Sequence, residues 1–465
     1  MRSPVFFIIA AAVGAAVFVA ARLIGNDYLF FAGYTVLQFI VLATAWNILG
    51  GYCGYVNFGS AAFFAVGAYS TVALHKLGTS IDRYSPEALA PLLKATMPLS
   101  IPTLTIIAGV VAGLIGFGMG YLTLRLRGAF FAIATLALAV VLQTLIVNWD
   151  YVGGSRGAYI IRPQTVPIIG SYIQYLFLLM LTLAVLALTA ARVIERSRLG
   201  YGFATIRDDE LAAEACGVPT LKLKLIATTL SGGLMGMAGA SFPYYIGYLE
   251  PGSAFGLAYA VNSIAMPMIG GTTLWAGPLI GALLLGTIQQ IATVTISSAV
   301  NLLIVGLLLI GFVIMAPNGI VGLVRDFLRV AAPERMDARA IKLLSIALYV
   351  FLVGLGGVVF GLSAAMAGKS SILTGLGVFT LVLSLVYLAA AYGLLTLANW
   401  SPVLTVAVLA ISIPLSLLFI WIDPTKFNVI GLTIALVIDI IAIWLLQGSD
   451  IRRLYQSRTQ QQAVS

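Results

Sequence analysis

The sequence predicts an all-α protein, a polytopic integral membrane helical bundle with about 14 spans, including broken or half helices. Three observations lead to this prediction. Hydrophobic residues make up 61% of the 465 residues and charged residues only 9%, whereas a soluble domain carries about 25% charged residues. The mean hydropathy is +1.06. Apolar runs also follow one another along nearly the whole chain, and about 20 apolar residues suffice to cross the hydrocarbon core as a helix.

The apolar runs are separated by short polar or glycine-rich segments. They lie at residues 5–24, 29–49, 56–75, 98–120, 128–148, 172–191, 223–248, 256–270, 276–297, 299–316, 342–363, 372–398, 402–422 and 428–447. The run 256–270 is short for a complete crossing, so a half helix is the alternative there.

The basic residues predict the orientation of these spans. If the N-terminus is inside and the crossings alternate, 17 of the 25 basic residues fall on the inner side and 8 on the outer side. This asymmetry follows the positive-inside rule and predicts that both termini are cytoplasmic. The basic residues behind the net charge of +9 are scattered through short loops, which indicates membrane lipid, and not nucleic acid, as the neighbour of this chain.

Several kinds of chemical site are disfavoured. The chain has two cysteines and one histidine, His75, too few for a disulfide framework, a histidine zinc site or a histidine-centred catalytic triad. The stretch GLSAAMAGKS from Gly361 has six residues between its first glycine and the Gly-Lys pair, whereas a nucleotide-binding Walker loop has four. The sequence therefore predicts no catalytic residue, no metal site and no nucleotide site in this chain.

Two glycine-rich segments interrupt the helical pattern: GGYCGYVNFG from Gly50 and PMIGGTTLWAGP from Pro267. Backbone groups freed by such a break cannot face lipid, so they must face protein or a wet cavity. One break in each half of the region up to residue 316 is typical of transporters with a central pathway. Ordinary tight turns between helices are the alternative.

The longest charged segment in the first two-thirds of the chain is residues 192–224. Its centre, Ile206 to Gly217, predicts a short helix with acidic residues in its first turns, ending at Gly217 with Pro219 two residues beyond. On the inner face such a helix suits docking of a soluble partner. A solvated connector is the alternative.

Six blocks, in order along residues 30–325, resemble the permeases of branched-chain amino-acid ABC transporters, a family of binding-protein-dependent importers. The blocks are GYVNFGSAAFFAVGAY from Gly54, LRGAFFAIATLALA from Leu126, GGSRG from Gly153, IRDDELAAEACG from Ile206, GGTTLWAGPLIGA from Gly270 and APNGIVGL from Ala316.

The resemblance implies two sets of functional residues. The segment from Ile206 would be the loop that couples the permease to an ATPase, with Arg207, Asp208, Asp209, Glu210, Ala212, Ala213 and Gly217. The two breaks would line the solute path, with Asn57, Gly59, Ser60, Thr135, Gly270, Gly271, Thr272 and Thr273. Glycines let the backbone approach a zwitterionic solute, and neutral hydroxyl and amide groups add hydrogen bonds.

The resemblance also implies the partners. These are a second, homologous permease subunit, two ATP-binding cassette subunits that bind the ATP, and a periplasmic solute-binding protein. The chain itself would hold no cofactor and would not be an enzyme. It would lie in the bacterial inner (plasma) membrane and import branched-chain or other amino acids.

The C-terminal part departs from the family. We expect a permease domain over 1–325, a basic cytoplasmic linker over 326–341, an extra four-helix membrane module over 342–447 and a cytoplasmic tail over 448–465. Asp439 lies near the middle of an apolar run, where a charge costs about 2.5–3.5 kcal/mol on insertion scales. Three alternatives stay open for Asp439: it is protonated, it is paired with another residue, or it is functional. Two other functions stay open: an ion-gradient-driven secondary transporter, with Asp439 as its coupling acid, and a membrane scaffold.

Overall fold

Helices form nearly all of the regular structure, because backbone groups in lipid must find their hydrogen-bond partners within the protein. The computed structural model describes residues 3–79, 99–123, 126–161, 171–295, 318–331, 338–366, 371–422 and 426–448, with residues 306, 310, 316 and 455. In this part of the chain, nine helices are long and apolar enough to cross a membrane, and three shorter apolar helices accompany them. The predicted all-α membrane fold is confirmed.

The chain divides into two units, residues 1–287 with 305–313, and residues 288–304 with 314–465. The helices that begin in the first unit are α1 Ser3–Ile24, α2 Asp27–Asn47, α3 Ser60–Thr79, α4 Ile101–Thr123, α5 Ala129–Val147, α6 Tyr172–Glu195, α7 Arg198–Asp208, α8 Glu210–Ala215, α9 Thr220–Ala240, α10 Phe242–Ile246, α11 Pro251–Ala254, α12 Leu257–Gly270 and α13 Ala276–Thr295. The second unit contains α14 Gly319–Ala331, α15 Ala338–Met366, α16 Ser371–Leu395, α17 Ser401–Ile422 and α18 Lys426–Gln447.

Helices α2 and α9 form the centre of the first unit. Helix α2 packs against α6, α9 and α12, and α9 packs against α3 and α4. Helices α1 and α5 expose most of their surface, and the exposed side chains of α5 are apolar, including Phe130, Ile133 and Leu145. An apolar outer face is what a lipid-facing helix requires. Strands β1 (Ala158–Tyr159) and β2 (Tyr248–Leu249) form a short antiparallel pair.

Small residues allow the central helices to approach each other closely. A Cβ atom on Gly67 of α3 would overlap the carbonyl of Gly236 of α9, and one on Gly239 would overlap the carbonyl of Phe64. Such stripes hold membrane helices together where lipid gives no hydrophobic driving force between helices. Gly236 and Gly239 therefore serve helix packing.

The charged segment between α6 and α9 forms two helices, so the predicted single helix from Ile206 to Gly217 is wrong. Asp209 separates α7 from α8 because it has an extended backbone (φ −159°, ψ 109°). Its carboxylate accepts hydrogen bonds from the backbone N–H groups of Leu211 (2.9 Å) and Ala212 (3.1 Å). An N-cap of this kind starts a new helix. The predicted end at Gly217 is confirmed, since Gly217 has φ +83° and follows α8 as a left-handed cap.

The second unit has its own apolar core. Helix α15 packs along α16, α16 packs on α17, and α17 on α18. The core includes Leu343, Val350, Tyr387, Ala391 and Leu409, and Phe327 of α14 joins it.

Four helices, α15 to α18, occupy the segment for which the sequence predicts an extra module. Of the predicted linker, residues 326–331 continue α14 and residues 338–341 begin α15. Residues 332–337, most of the predicted tail, and the run 299–316 apart from positions 306, 310 and 316 lie outside the described residues. The domain boundaries stay a prediction.

Candidate functional site: the loop end of the first unit

Helices α7 and α8 form one end of the first unit, which we call the loop end. Helix α7 is amphipathic, and its Phe203 and Ile206 are buried in a cluster with Ile48, Leu49 and other side chains. Apolar side chains every three or four residues hold such a helix against the bundle and leave its polar face in water. The loop end is therefore a packed part of the unit.

The predicted coupling residues divide into an exposed set and an inward set. Arg207 and Asp208 are exposed and form a surface ion pair at 3.2 Å. Ala212 and Gly217 are exposed, as is Leu211 next to Ala212, whereas Ala213 is on the buried face of α8. The exposed face of α8 thus presents an apolar side chain beside small residues, a surface that another protein can approach closely.

Glu210 points inward and anchors α8. Its Oε1 accepts a hydrogen bond from Lys224 Nζ at 2.7 Å, and its Oε2 accepts one from the hydroxyl of Tyr55. Lys224 also donates to the Tyr55 hydroxyl at 3.2 Å, and its ammonium lies 4.9 Å from the centre of the Tyr55 ring. The side chains of Lys224 and Glu210 are only 3% and 12% exposed. A carboxylate and an ammonium this buried require each other.

The electrostatics of Glu210 follow from these contacts. Burial by itself raises the pKa of the Glu210 carboxyl, but hydrogen bonds from Lys224 and Tyr55 and the positive charges of Lys224 and Arg127 outweigh burial. The pKa of Glu210 is therefore held below its usual value. Burial, followed by the hydrogen bond to Glu210, raises the pKa of the Tyr55 hydroxyl. Glu210 is thus the charged acceptor and Tyr55 the neutral donor.

Arg127 and Thr220 hold the other acidic residue of α8. Arg127 lies 3.1 Å from Glu214 and 3.6 Å from Glu210, and the Thr220 hydroxyl donates to Glu214 at 2.8 Å. The Arg127 and Glu214 side chains are about half exposed, so water screens this pair.

The first break brings several predicted path residues together. Helix α2 ends at Asn47 and continues as a π-helical turn, Ile48–Tyr52. The Asn57 side chain accepts from the backbone N–H of Gly59 at 2.7 Å, and the Thr135 hydroxyl of α5 lies 3.2 Å from the backbone N of Phe58, which donates to it. These neutral side chains replace the backbone partners that the break removes. Ser60, fully buried at the start of α3, has no hydrogen-bond partner for its hydroxyl within the described residues.

At the second break, between α12 and α13, glycines serve close backbone packing. A Cβ atom on Gly270 would overlap the carbonyl of Gly277, and one on Gly277 would overlap the carbonyl of Gly271, which has φ +113°. Only glycine permits this approach. Gly270 and Gly271 are buried, Thr272 is half-buried and Thr273 is exposed.

The two breaks meet. The Asn47 side chain donates to the carbonyl of Thr272 at 3.0 Å, and a Cβ atom on Gly51 would lie 2.8 Å from that same carbonyl oxygen. The predicted residues Asn57, Gly59 and Thr135 thus form one group, and Thr272 contacts the first break through Asn47. Thr273 does not belong to this group by any hydrogen bond within the described residues.

The loop end is bonded to the first break, and the end of α6 just before it is bonded to the second. Tyr55 of the first break binds Glu210, as described above. At the end of α6, the carboxylate of Glu195 accepts from the backbone N–H of Trp275 in the second break at 2.8 Å. Arg192, one turn earlier, lies over the rings of Phe6 and Trp275 at 4.3 and 5.2 Å.

Sequence reasoning missed four residues of this arrangement, Asn47, Tyr55, Glu195 and Lys224. The signal for Lys224 was present, because a lysine within an apolar run requires a partner. Nothing local identifies Asn47 or Glu195, whose partners are 225 and 80 residues away.

The first unit also has a cleft of about 310 Å³, apart from the loop end and the two breaks. Aromatic side chains form most of its lining. Its lining includes Tyr28, Phe31, Tyr172, Tyr244 and Tyr245, with Asp27 at its edge. None of the predicted path residues lines this cleft. Within the described residues, no group of three histidine, cysteine or acidic side chains is placed to hold a metal ion.

Comparison with known proteins gives one family. A family model described as the branched-chain amino acid transport system / permease component matches residues 27–313. The chain is similar to the high-affinity branched-chain amino acid transport system permease protein LivM of Salmonella typhimurium, at 25% identity over 65% of this chain and 72% of that protein. LivM of Escherichia coli is 26% identical over 63% of this chain and 69% of that protein. The probable branched-chain amino acid transport permease protein LivH of Methanocaldococcus jannaschii is 24% identical over 57% and 82%. No solved structure matches the chain.

Proposed function

Because the chain belongs to the branched-chain amino acid transport permease family, we propose that it forms the transmembrane solute pathway of an ATP-driven amino-acid importer and couples to ATPase subunits through its loop end. Its partners are a second permease, two ATP-binding cassette subunits that bind the ATP, and a periplasmic solute-binding protein. The solute is a branched-chain or related amino acid, as the names of the relatives suggest. Both termini lie on the cytoplasmic side of the inner membrane.

One observation carries the coupling proposal: α8, the helix with the exposed docking face, is bonded to one break, and α6, which ends just before α7, is bonded to the other. A partner that moves α8 moves Glu210, and Glu210 is bonded to Tyr55 of the first break. Glu195, three residues before α7, is bonded to Trp275 of the second break. Packed elements linked by hydrogen bonds of this kind can carry coupling between two sites.

The solute path in this proposal lies where the two breaks meet. The group around Asn57 and Thr135 is neutral, and the glycines bring backbone groups close together. Neutral side chains and backbone dipoles suit a zwitterion. Such a solute has no net charge, so the buried site needs no unpaired charged side chain to bind it.

The docking test replaces Ala212 by Trp. A large side chain on the exposed face of α8 blocks close approach of another protein, whereas Glu210 stays in place and holds the helix. We expect the ATPase subunits to be lost when the complex is purified by a tag on this chain, and uptake to fall with them. Ser253→Trp is the matched control, because Ser253 is exposed in α11, away from α8. Equal recovery of ATPase with both variants would refute docking at α8.

A transport test separates an ATP-driven importer from the alternatives. The complex is placed in proteoliposomes with the solute-binding protein and labelled leucine. Uptake is expected only with ATP. Uptake that needs no ATP and follows an imposed proton or sodium gradient would show a secondary transporter, and ATPase binding without uptake of any amino acid would favour a scaffold.

A further inference from the structure

Asp439 is a buried carboxyl group in the second unit that the transport proposal does not use. It is the fourteenth of the 22 residues of α18 and is 3% exposed. Helix α18 is otherwise apolar around it, with Ile438, Ile440 and Ile441 as neighbours. Ionisable groups inside membrane helices are rare and usually functional.

Two hydroxyl groups from other helices bind Asp439. The Tyr349 hydroxyl of α15 lies 2.7 Å from Oδ1, and the Ser412 hydroxyl of α17 lies 2.5 Å from Oδ2. Helix α16 contributes the buried Tyr387 to the same core of the second unit. Within the described residues, no lysine or arginine forms an ion pair with Asp439. The groups that contact the carboxyl from α15 and α17 are therefore hydroxyls.

The number of protons available for these hydrogen bonds indicates whether Asp439 is neutral or ionised. The Ser412 hydroxyl has one proton and lies 2.8 Å from the carbonyl oxygen of Leu409 as well as 2.5 Å from Asp439. If Asp439 is a neutral acid, its own proton goes to Ser412 Oγ, and the Ser412 proton goes to Leu409. Tyr349 then donates to Oδ1, and every proton has an acceptor. If Asp439 is ionised, the part of the chain that the structure describes offers it two hydroxyl protons and no other donor, and a buried full charge is costly.

A metal cation suits the geometry less well. A cation such as Ca²⁺ lies about 2.3–2.6 Å from each of six to eight oxygen ligands. Here the carboxylate oxygens contact hydroxyl oxygens directly at 2.5 and 2.7 Å, which is the spacing of an O–H···O hydrogen bond.

We propose that Asp439, Ser412 and Tyr349 form a proton-binding site, in which Asp439 is a neutral acid that joins α15, α17 and α18. The bound proton completes a chain of hydrogen bonds from α18 through Ser412 to the backbone of α17. Loss of the proton breaks this chain and leaves a charge between the helices. The site lies within the second unit and does not depend on the transport assignment.

Infrared spectroscopy of the purified full-length chain tests the proton directly. At neutral pH we expect a carbonyl band of a protonated carboxylic acid that disappears in Asp439→Asn and persists in Asp326→Asn, the control at an exposed carboxylate of α14. In Ser412→Ala the band should shift, because its hydrogen-bond acceptor is gone. A wild-type chain without such a band at neutral pH, or a band that survives Asp439→Asn, would overturn the proposal.

Thermal unfolding in detergent gives a second measurement. Asparagine is neutral and nearly the same shape, so Asp439→Asn should unfold near the wild-type midpoint. Asp439→Ala removes both hydrogen bonds and should unfold about 3 °C or more below it. If Asn lowers the midpoint as much as Ala, the site requires an ionised carboxylate, and the proton-binding site is refuted.

Discussion

At the scale of residues, the buried pair of Glu210 and Lys224 is the contact on which the loop end depends most. It joins α8 to α9, and Tyr55 joins both to the first break. Exposed pairs such as Arg207 with Asp208 contribute little, because water and salt screen them. The useful distinction among the charges of residues 192–224 is therefore between buried and exposed.

Replacing Glu210 by Gln should destabilise the first unit by roughly 3 kcal/mol, since it leaves the Lys224 ammonium buried without its counter-charge. Glu214→Gln is the matched control on the same helix, and we expect it to cost less than about 1 kcal/mol because that pair is half exposed. Thermal unfolding in detergent measures both. The double variant Glu210→Gln with Lys224→Met should recover part of the loss, and equal effects of the two single variants would contradict the assignment of Glu210 as the anchor.

The contribution of Glu210 should depend on pH in a defined direction. Its folded pKa is lowered, so its stabilisation is complete above the ordinary glutamate value of about 4.3 and is lost as pH falls through the lowered folded value. The difference in unfolding midpoint between wild type and Glu210→Gln should therefore be constant near neutral pH and shrink in acid. A difference that grows on acidification would show that Glu210 is not held ionised by Lys224.

At the scale of elements, the second break is defined by glycines where two helices meet backbone to backbone. Helix α12 continues through Pro267 as far as Gly270, so the interruption is shorter than the sequence pattern suggests. The glycines there pack backbone against backbone, because the carbonyls of Gly271 and Gly277 fill the space that a side chain would need.

Gly277→Ala should destabilise the first unit by about 1–3 kcal/mol, because the new methyl group overlaps the backbone at Gly271 and forces α12 and α13 apart. Gly118→Ala is the control: nothing lies within 4 Å of a Cβ at Gly118 in α4, and alanine favours a helix by up to about 1 kcal/mol over glycine. The thermal midpoints should move in opposite directions. A neutral result at Gly277 would mean that the two helices do not pack this closely.

At the scale of the whole molecule, the family match ends at residue 313, and the four helices α15 to α18 lie beyond it. Those helices bury an apolar core of their own, as an independent domain does. The permease activity proposed here involves residues of the first unit only.

A chain that ends at residue 337 and carries Phe327→Ser should still bind the ATPase subunits. The substitution replaces the α14 side chain that packs in the core of the second unit. Recovery of ATPase should stay within about twofold of the full-length Phe327→Ser control, a difference equivalent to ~0.4 kcal/mol. Loss of ATPase binding in the shortened chain alone would assign the C-terminal helices a part in assembly.

The sequence by itself determined the membrane fold, most helices and the family. Each follows from local composition, from runs long enough to span lipid, or from short sequence blocks, and none needs a long-range contact. The boundary between α7 and α8 at Asp209 was missed. An aspartate N-cap inside a helical pattern is a single-residue signal, and it competes with the helix-forming residues around it.

Only the tertiary structure decided which polar residues act together. It placed Glu210 inward and Asp208 outward, joined Asn47 to Thr272 and Glu195 to Trp275, and gave Asp439 its partners on α15 and α17. These pairs are separated by 14 to 225 residues. A buried polar group must find a partner wherever the packing of helices provides one, and that packing is not visible in the local sequence.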